Sequence, residues 1–260
     1  MTITIADIYR YPVKGLSPER LARTALSPGQ CLPHDRRFAI ALPTTEFDPA
    51  HPRWLSKTHF IMLMRDEKLA QLHTRFDEGS GVLTVARGGN VLAQGSLAAP
   101  EGRRAIAQFY TDFLAGTVAG PLQIVEAPGH AFADARPKPD ATTDKYISLI
   151  NLASIGALET AMGAAIDKLR FRANLYFEGI PAWGEHDWLG REIALGGARL
   201  RIIATITRCK ATEVNPATAT RDLDIVGALQ RHFGHNLMGI YGEVIAGGDI
   251  AGGDALLPGA

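Results

Sequence analysis

Two cysteines stand in the 260-residue sequence, and their settings differ. Cys209 follows the apolar, β-branched run Leu200 to Ile206 and opens an irregular stretch from Lys210 to Thr220. Arg208 and Lys210 flank it. Cationic neighbours favour the thiolate, and thiolate is a soft ligand that suits thiophilic metals. A small packed hydrophobe is the competing reading, and residue types alone leave both open. Cys31, in Gly29-Gln30-Cys31-Leu32-Pro33, has no cation before Arg36 and reads as packed. A basic set forms the second constellation. Lys14 follows a strand end in Tyr11-Pro12-Val13-Lys14-Gly15, where glycine lets a backbone amide and an ammonium approach one anion together. Arg36 precedes a strand in His34-Asp35-Arg36-Arg37-Phe38. Arg170 and Arg172 are two apart, so on a strand they share a face. Guanidinium groups grip phosphate through paired hydrogen bonds, but each of these cations is equally suited to plain surface charge.

Other chemistries lack their residues. No phosphate-cradling or dinucleotide-binding glycine pattern falls between a strand and a helix. His232 and His235 are three apart with no cysteine or carboxylate to complete a zinc set, and read as structural. Glu185-His186-Asp187 reads as an exposed acidic turn between Trp183 and Trp188 that stabilises a loop. Ser17, Ser27 and Ser56 lack the strand–turn–helix setting of a hydrolase nucleophile.

The positioning elements are mostly strands. Alternating Ile3, Ile5 and Ile8 predict a strand over Thr2 to Arg10, stopped at Pro12, which lacks a backbone donor. Further strands are expected over Leu21–Leu26, Arg37–Leu42 and Phe171–Phe177, with a last one over Gly239–Ile245. Hairpins are expected at Gly81–Gln94 and Glu192–Cys209, each with paired glycines at its turn. Ile106, Phe109, Tyr110, Phe113 and Leu114 share one face of a helix over Glu101–Ala115. Helices also fit Leu152–Met162, with Asn151 as N-cap, and Asp222–Phe233, with Gly234 as the left-handed stop. The elements do not alternate as βαβ units, so a mainly β, α+β chain of twisted antiparallel sheets or barrels is expected. Pro- and Gly-rich sequence around residues 116–143 marks a boundary between domains at 1–125 and 126–260.

Composition narrows the partners. Lys plus Arg and Asp plus Glu are 27 each, so no net field favours nucleic acid or an anionic membrane. Asp7, Arg10, Lys14 and Glu19 break up any apolar leader, and no run nears the ~20 apolar residues of a membrane helix. A cytoplasmic protein is expected. With no heptad seam or long apolar stripe, a monomer is expected too.

Taken in order, several segments resemble the MOSC family with its N-terminal β-barrel domain, in the branch of the mitochondrial amidoxime reducing component and its bacterial relatives. Tyr11-Pro12-Val13-Lys14-Gly15 is similar to the family's opening element, and Asp35-Arg36-Arg37-Phe38 to its next strand. Phe171-Arg172-Ala173-Asn174 is similar to its FRPN segment. Thr207-Arg208-Cys209 and Thr212-Glu213-Val214-Asn215-Pro216 resemble the cysteine-bearing element, and Gly248 to Asp254 the closing tail. The resemblance implies two β-barrel-like domains and a molybdenum cofactor (molybdopterin) between them. It implies Cys209 as the protein ligand to molybdenum. Lys14, Gly15, Arg36, Arg172, Asn174, Thr207 and Arg208 would hold the pterin and its phosphate. A looser alignment adds Asp144, Lys145 and Asn151. The implied activity is reduction of small N-hydroxylated or N-oxide compounds, with electrons from a separate donor protein. A carrier of sulfur or cofactor through Cys209 is the alternative. Gly15 departs from a common serine and Ala173 from the usual proline. No cysteine follows Cys209 to hold the iron–sulfur cluster of some relatives.

Overall fold

In the computed structural model, residues 2–136 and 144–259 are described. Among them the chain is mainly β, with three α-helices at Pro100–Phe113, Leu152–Met162 and Ile225–Phe233. The largest sheet is a curled layer of eight strands. From one edge it runs Leu256–Pro258, Glu192–Leu195, Ala198–Thr207, Leu237–Ala246, Ile147–Asn151, Leu175–Glu178, Thr4–Arg10 and Glu19–Leu21. All neighbours are antiparallel except Ile147–Asn151 and Leu175–Glu178. That parallel pair is joined through the helix Leu152–Met162, as a parallel crossover requires. Strands from both sides of the expected 125/126 boundary therefore share one sheet. A second core wraps the helix Pro100–Phe113 and the three strands His73–Phe76, Val82–Arg87 and Asn90–Ser96. Ile106 and Tyr110 of that helix, four apart on one face, are both 0% exposed.

Alternation along the large sheet decides what faces what. Ile147 and Leu149 enter the apolar core on one face with Ile202, Ile240 and Phe177. Tyr146 and Ser148, one residue out of phase, point to the other face. Two helices pack there around Ile155, Leu158, Ala228 and Leu229. Asn151 caps the helix Leu152–Met162 as expected, its Oδ1 accepting from Ala153 N at 3.1 Å, and Gly163 closes the helix in the left-handed region.

Three expectations change. Phe171–Phe177 is not one strand. Lys168–Phe171 forms a 3₁₀ turn, Arg172 is left-handed at φ 54°, and the strand begins at Leu175. Arg170 and Arg172 therefore do not share a strand face. The expected strand Leu21–Leu26 divides into Glu19–Leu21, on the large sheet, and Arg23–Leu26, which pairs with Gly248–Ala251. Glu185 is not exposed: its residue is 0% accessible, and its carboxylate accepts from Ser154 Oγ at 2.8 Å and from Asn151 Nδ2 at 3.3 Å.

Burial pushes the Glu185 pKa above the ordinary carboxyl value, with the hydrogen bonds opposing it. The protonated form is thus favoured in the fold. The associated stability is present below the ordinary pKa and is lost as pH rises through the raised one. Glu185→Gln keeps an acceptor for Ser154 and removes the buried charge. The variant is expected to gain roughly 1 kcal/mol over wild type at pH 8, and little or nothing at pH 4. Urea midpoints at the two pH values check this; a gain independent of pH would sink it.

Candidate functional site

A cleft of about 540 Å3 opens on the polar face of the large sheet. Ser148 lines it from the strand Ile147–Asn151 and Tyr146 from just before that strand, Tyr241 from the next, and Thr205 and Thr207 from the long strand Ala198–Thr207. The opposite wall comes from the start of the chain. There Lys14 N donates to Phe38 O, Phe38 N to Pro12 O and Arg36 N to Tyr11 O, at 2.7–3.0 Å. This short ladder places Lys14 and Arg36 side by side. The stretch Phe132–Arg136 completes the wall.

The lining is strongly cationic. Among the described residues, Lys14, Lys57, Arg36, Arg136, Arg170, Arg172 and Arg208 line the cleft with two carboxylates, Asp35 and Asp134, so it suits an anion. Arg36 and Arg172 lie against the Tyr11 ring, their guanidinium carbons 4.3 and 4.4 Å from its centroid. Burial raises the Tyr11 hydroxyl to about 12, against the pull of the two guanidiniums, so the ring stays a neutral platform. Arg36 also donates to Asp35 and, through Nη2, to the carbonyl of Arg172 at 2.9 Å. Both arginines hold left-handed backbone, at φ 49° and 54°. Such backbone costs on the order of 1–3 kcal/mol per residue and concentrates at functional sites.

Two of these cations, Arg172 and Arg208, stand out for being held by backbone carbonyls. Among the described residues neither Arg172 nor Arg208 has a carboxylate within salt-bridge distance. Arg172 donates to Leu16 O at 2.8 Å. Arg208 donates to Phe171 O at 2.8 Å and, through Nε and Nη2, to Met238 O at 2.9 and 2.6 Å. Burial depresses the pKa of both below the ordinary arginine value, so each stays charged at a desolvation cost that an anion would offset. Arg170 leaves its buried Nε–H without an acceptor among the described residues. Lys14 is buried, and burial pulls its pKa down while Asp134, its ion-pair partner, pushes it back up.

Cys209 lies at the other side of the same cleft, half-buried, in extended backbone at the start of the 3₁₀ turn Lys210–Glu213. Its carbonyl accepts from Thr212 N and Oγ1, at 3.0 and 2.9 Å. Cys31 is elsewhere. Its thiol faces Asp35 O at 3.7 Å, and burial pushes its pKa up to about 12, which fits a packed thiol.

Of the residues that sequence reasoning singled out, Lys14, Gly15, Arg36, Arg172, Asn174, Thr207, Arg208 and Cys209 all line the cleft. Three do not. Asn151 is 0% exposed and spends its amide on Ile180 O, Pro181 O and Glu185. Asp144 is exposed off the cleft, and Lys145 borders a smaller neighbouring cavity, donating to Gln30 Oε1. Tyr146 and Ser148, a residue or more further along, line the cleft instead. Asn174 lines the cleft with its polar atoms already used: Oδ1 accepts from Ser148 N and Oγ, and Nδ2 donates to Tyr9 O. It ties strands together behind the cations. Gly15 has φ 81°, and a Cβ there would stand 2.9 Å from Ile61 O, so the serine of relatives would not fit this backbone. Sequence reasoning missed Tyr11, Asp134, Tyr146 and Tyr241. Tyr11 adjoins the Lys14 motif, but only the fold reveals it as the platform between two arginines.

The profile for the MOSC domain matches residues 128–257, and that for the MOSC N-terminal beta barrel domain matches residues 2–120. The chain belongs to the MOSC family. Among solved structures, this MOSC protein is similar to the YUAD protein of Bacillus subtilis, with 14% identity over 99% of this chain and 96% of that one, at a TM-score of 0.46. It is also similar to YiiM from Geobacillus stearothermophilus, at 21% identity and TM-score 0.35, and to YiiM from Escherichia coli, at 15% and 0.32. Each YiiM match covers 44% of this chain and 54% of the other. No curated protein matches the sequence. MOSC domains are associated with molybdenum cofactor binding, and no helix among the described residues is long and apolar enough to cross a membrane.

Proposed function

We propose that this MOSC protein binds a molybdenum-pterin cofactor in the cationic cleft and reduces small N-oxygenated compounds with electrons from a separate donor protein. The observation that carries the reading is the pairing, in one cleft, of a half-buried thiol with two arginines that have no acidic partner among the described residues. The donor set fits the group. Arg172, Arg208 and Arg36 present fixed donors of the kind that grip a phosphate, and Arg170 adds an unsatisfied buried N–H. Cys209 supplies one soft sulfur. Among the described residues no three His, Cys, Asp or Glu side chains gather to hold a metal, so a metal at Cys209 needs its other ligands from a bound group.

A bound molybdenum cofactor supplies the redox chemistry that removes oxygen from N-hydroxylated and N-oxide compounds as water. The chain's own work is binding and orientation. Arg172 and Arg208 neutralise the anionic end; the Tyr11 ring fixes the spacing of Arg36 and Arg172. Asn174 and Ser148 hold the strands beneath them, and the Cys209 turn fixes the sulfur at the far side.

The test is molybdenum and pterin content after purification from a host that makes the cofactor. Wild type is expected to carry near-stoichiometric metal, and Cys209→Ala about tenfold less or lower. Turnover of N-hydroxylated compounds with a chemical reductant is expected to vanish in the same variant. Neither metal nor pterin in wild type, with cofactor supply confirmed, would overturn the reading.

A further inference from the structure

The turn that carries Cys209 is short, and its outward carbonyls need partners. Two guanidiniums supply them. Arg170 Nη1 donates to Glu213 O at 2.9 Å and to Thr212 O at 3.5 Å, while its Nη2 meets Asp222 at 2.6 Å. Arg221 Nη1 donates to Lys210 O at 2.9 Å, one residue past the cysteine. Its other arm leaves the loop altogether. Nη2 donates to Met64 O at 2.8 Å and Leu63 O at 3.2 Å, with Glu67 at 3.4 Å. The Val214–Arg221 bridge closes the loop behind it.

The segment that Arg221 grips also supports the cationic wall. Ile61 O lies against Gly15, the residue after Lys14. Residues 61–67 thus touch both the Lys14–Gly15 turn and, through Arg221, the Cys209 loop. We propose that Arg221 is a positioning residue for Cys209: one guanidinium that staples the cysteine-bearing loop to the 61–67 segment and so sets the thiol against the cationic wall. The inference rests on Cys209 as the functional thiol of the proposed site. The job needs a planar fork that serves acceptors on two sides at once, which a lysine ammonium on a flexible stem does poorly. Three of its acceptors are backbone carbonyls bonded to a charged donor, stronger than an exposed side-chain ion pair, and the Glu67 and Glu213 carboxylates stand at 3.4 and 3.6 Å on the two sides.

The experiment reads the thiol directly and needs no cofactor, so its outcome is separate from that of the metal analysis. Alkylation by iodoacetamide is followed at Cys209 and Cys31 by peptide mass spectrometry in wild type, Arg221→Ala and Arg221→Lys, with hydrogen exchange of residues 210–221 alongside. Cys209 is expected to react about tenfold faster in Arg221→Ala, with exchange in the loop accelerated to match. Cys31, off the cleft, keeps its rate. Arg221→Lys retains most of the acceleration, and added methylguanidinium slows Cys209 in Arg221→Ala back toward wild type. Should Arg221→Ala fail to fold, Arg221→Lys carries the same comparison. A Cys209 rate within about twofold of wild type in a folded variant overturns the proposal. So does acceleration of both cysteines together, which marks general loosening.

Discussion

Arg172→Gly is expected to weaken binding of a phosphate monoester to the cofactor-free cleft about a hundredfold while leaving the fold as stable as wild type or more so. The two effects share one origin. The Arg172 guanidinium is packed on Tyr11 beside Arg36, has no carboxylate partner among the described residues, and has its pKa lowered first by burial and further by Arg36. In the folded, unliganded protein it is a charge held at a cost. Its backbone adds to that cost, because φ 54° disfavours any side chain with a Cβ. Glycine removes both penalties and keeps the carbonyl that Arg36 Nη2 uses. It loses the packing on Tyr11 and the bond to Leu16 O, which offset part of the gain. Titration calorimetry with a phosphate monoester and denaturant midpoints measure the two quantities. An affinity loss under about threefold would remove Arg172 from the anion site, and a large destabilisation would mean the arginine is structural.

Gly239→Ala is expected to destabilise the protein by about 4 kcal/mol or more, enough to abolish most soluble expression. Gly239 lies inside the strand Leu237–Ala246, with φ 78°. A Cβ would stand 2.4 Å from Leu149 O and 2.6 Å from Ile150 Cγ1, in the neighbouring strand. Backbone on that side cannot retreat without breaking the Ile240–Leu149 pairing. The conformation has a purpose in the site. Thr205 pairs with Ile240 but Thr207 with Leu237, so one extra residue bulges from the strand there. The bulge presents Met238 O to Arg208, which gives it two of its donors. Soluble yield and urea midpoints decide it; a loss under about 1 kcal/mol would show that the bulge can relax.

Much of the local structure was legible because local structure follows short-range periodicity. The two hairpins, the three helices and the Asn151 cap emerge from patterns within a dozen residues. So does the placing of Cys209 just past an apolar strand. The three-residue strands Gln123–Val125 and Leu256–Pro258 carry too little pattern of their own and exist because a partner pairs with them. The strand expected over Phe171–Phe177 failed because Arg172 is left-handed, a state no residue-type preference for arginine predicts. Asn151 served two readings in the sequence, and packing against Glu185 left it only the structural one.

The sequence by itself determined the chemistry available to this protein: one cysteine beside cations, a set of arginines and a lysine, and strands to carry them. Only the tertiary structure decided that they meet. Arg36 reaches the carbonyl of Arg172 across 136 residues, and Lys14 reaches the Phe132 carbonyl across 118. Contacts at such separation are set by sheet pairing and by two arginines in left-handed backbone. Propensities act over a few residues, so they specify which side chains exist on which local face, and the long-range pairing of strands specifies which faces share a cleft.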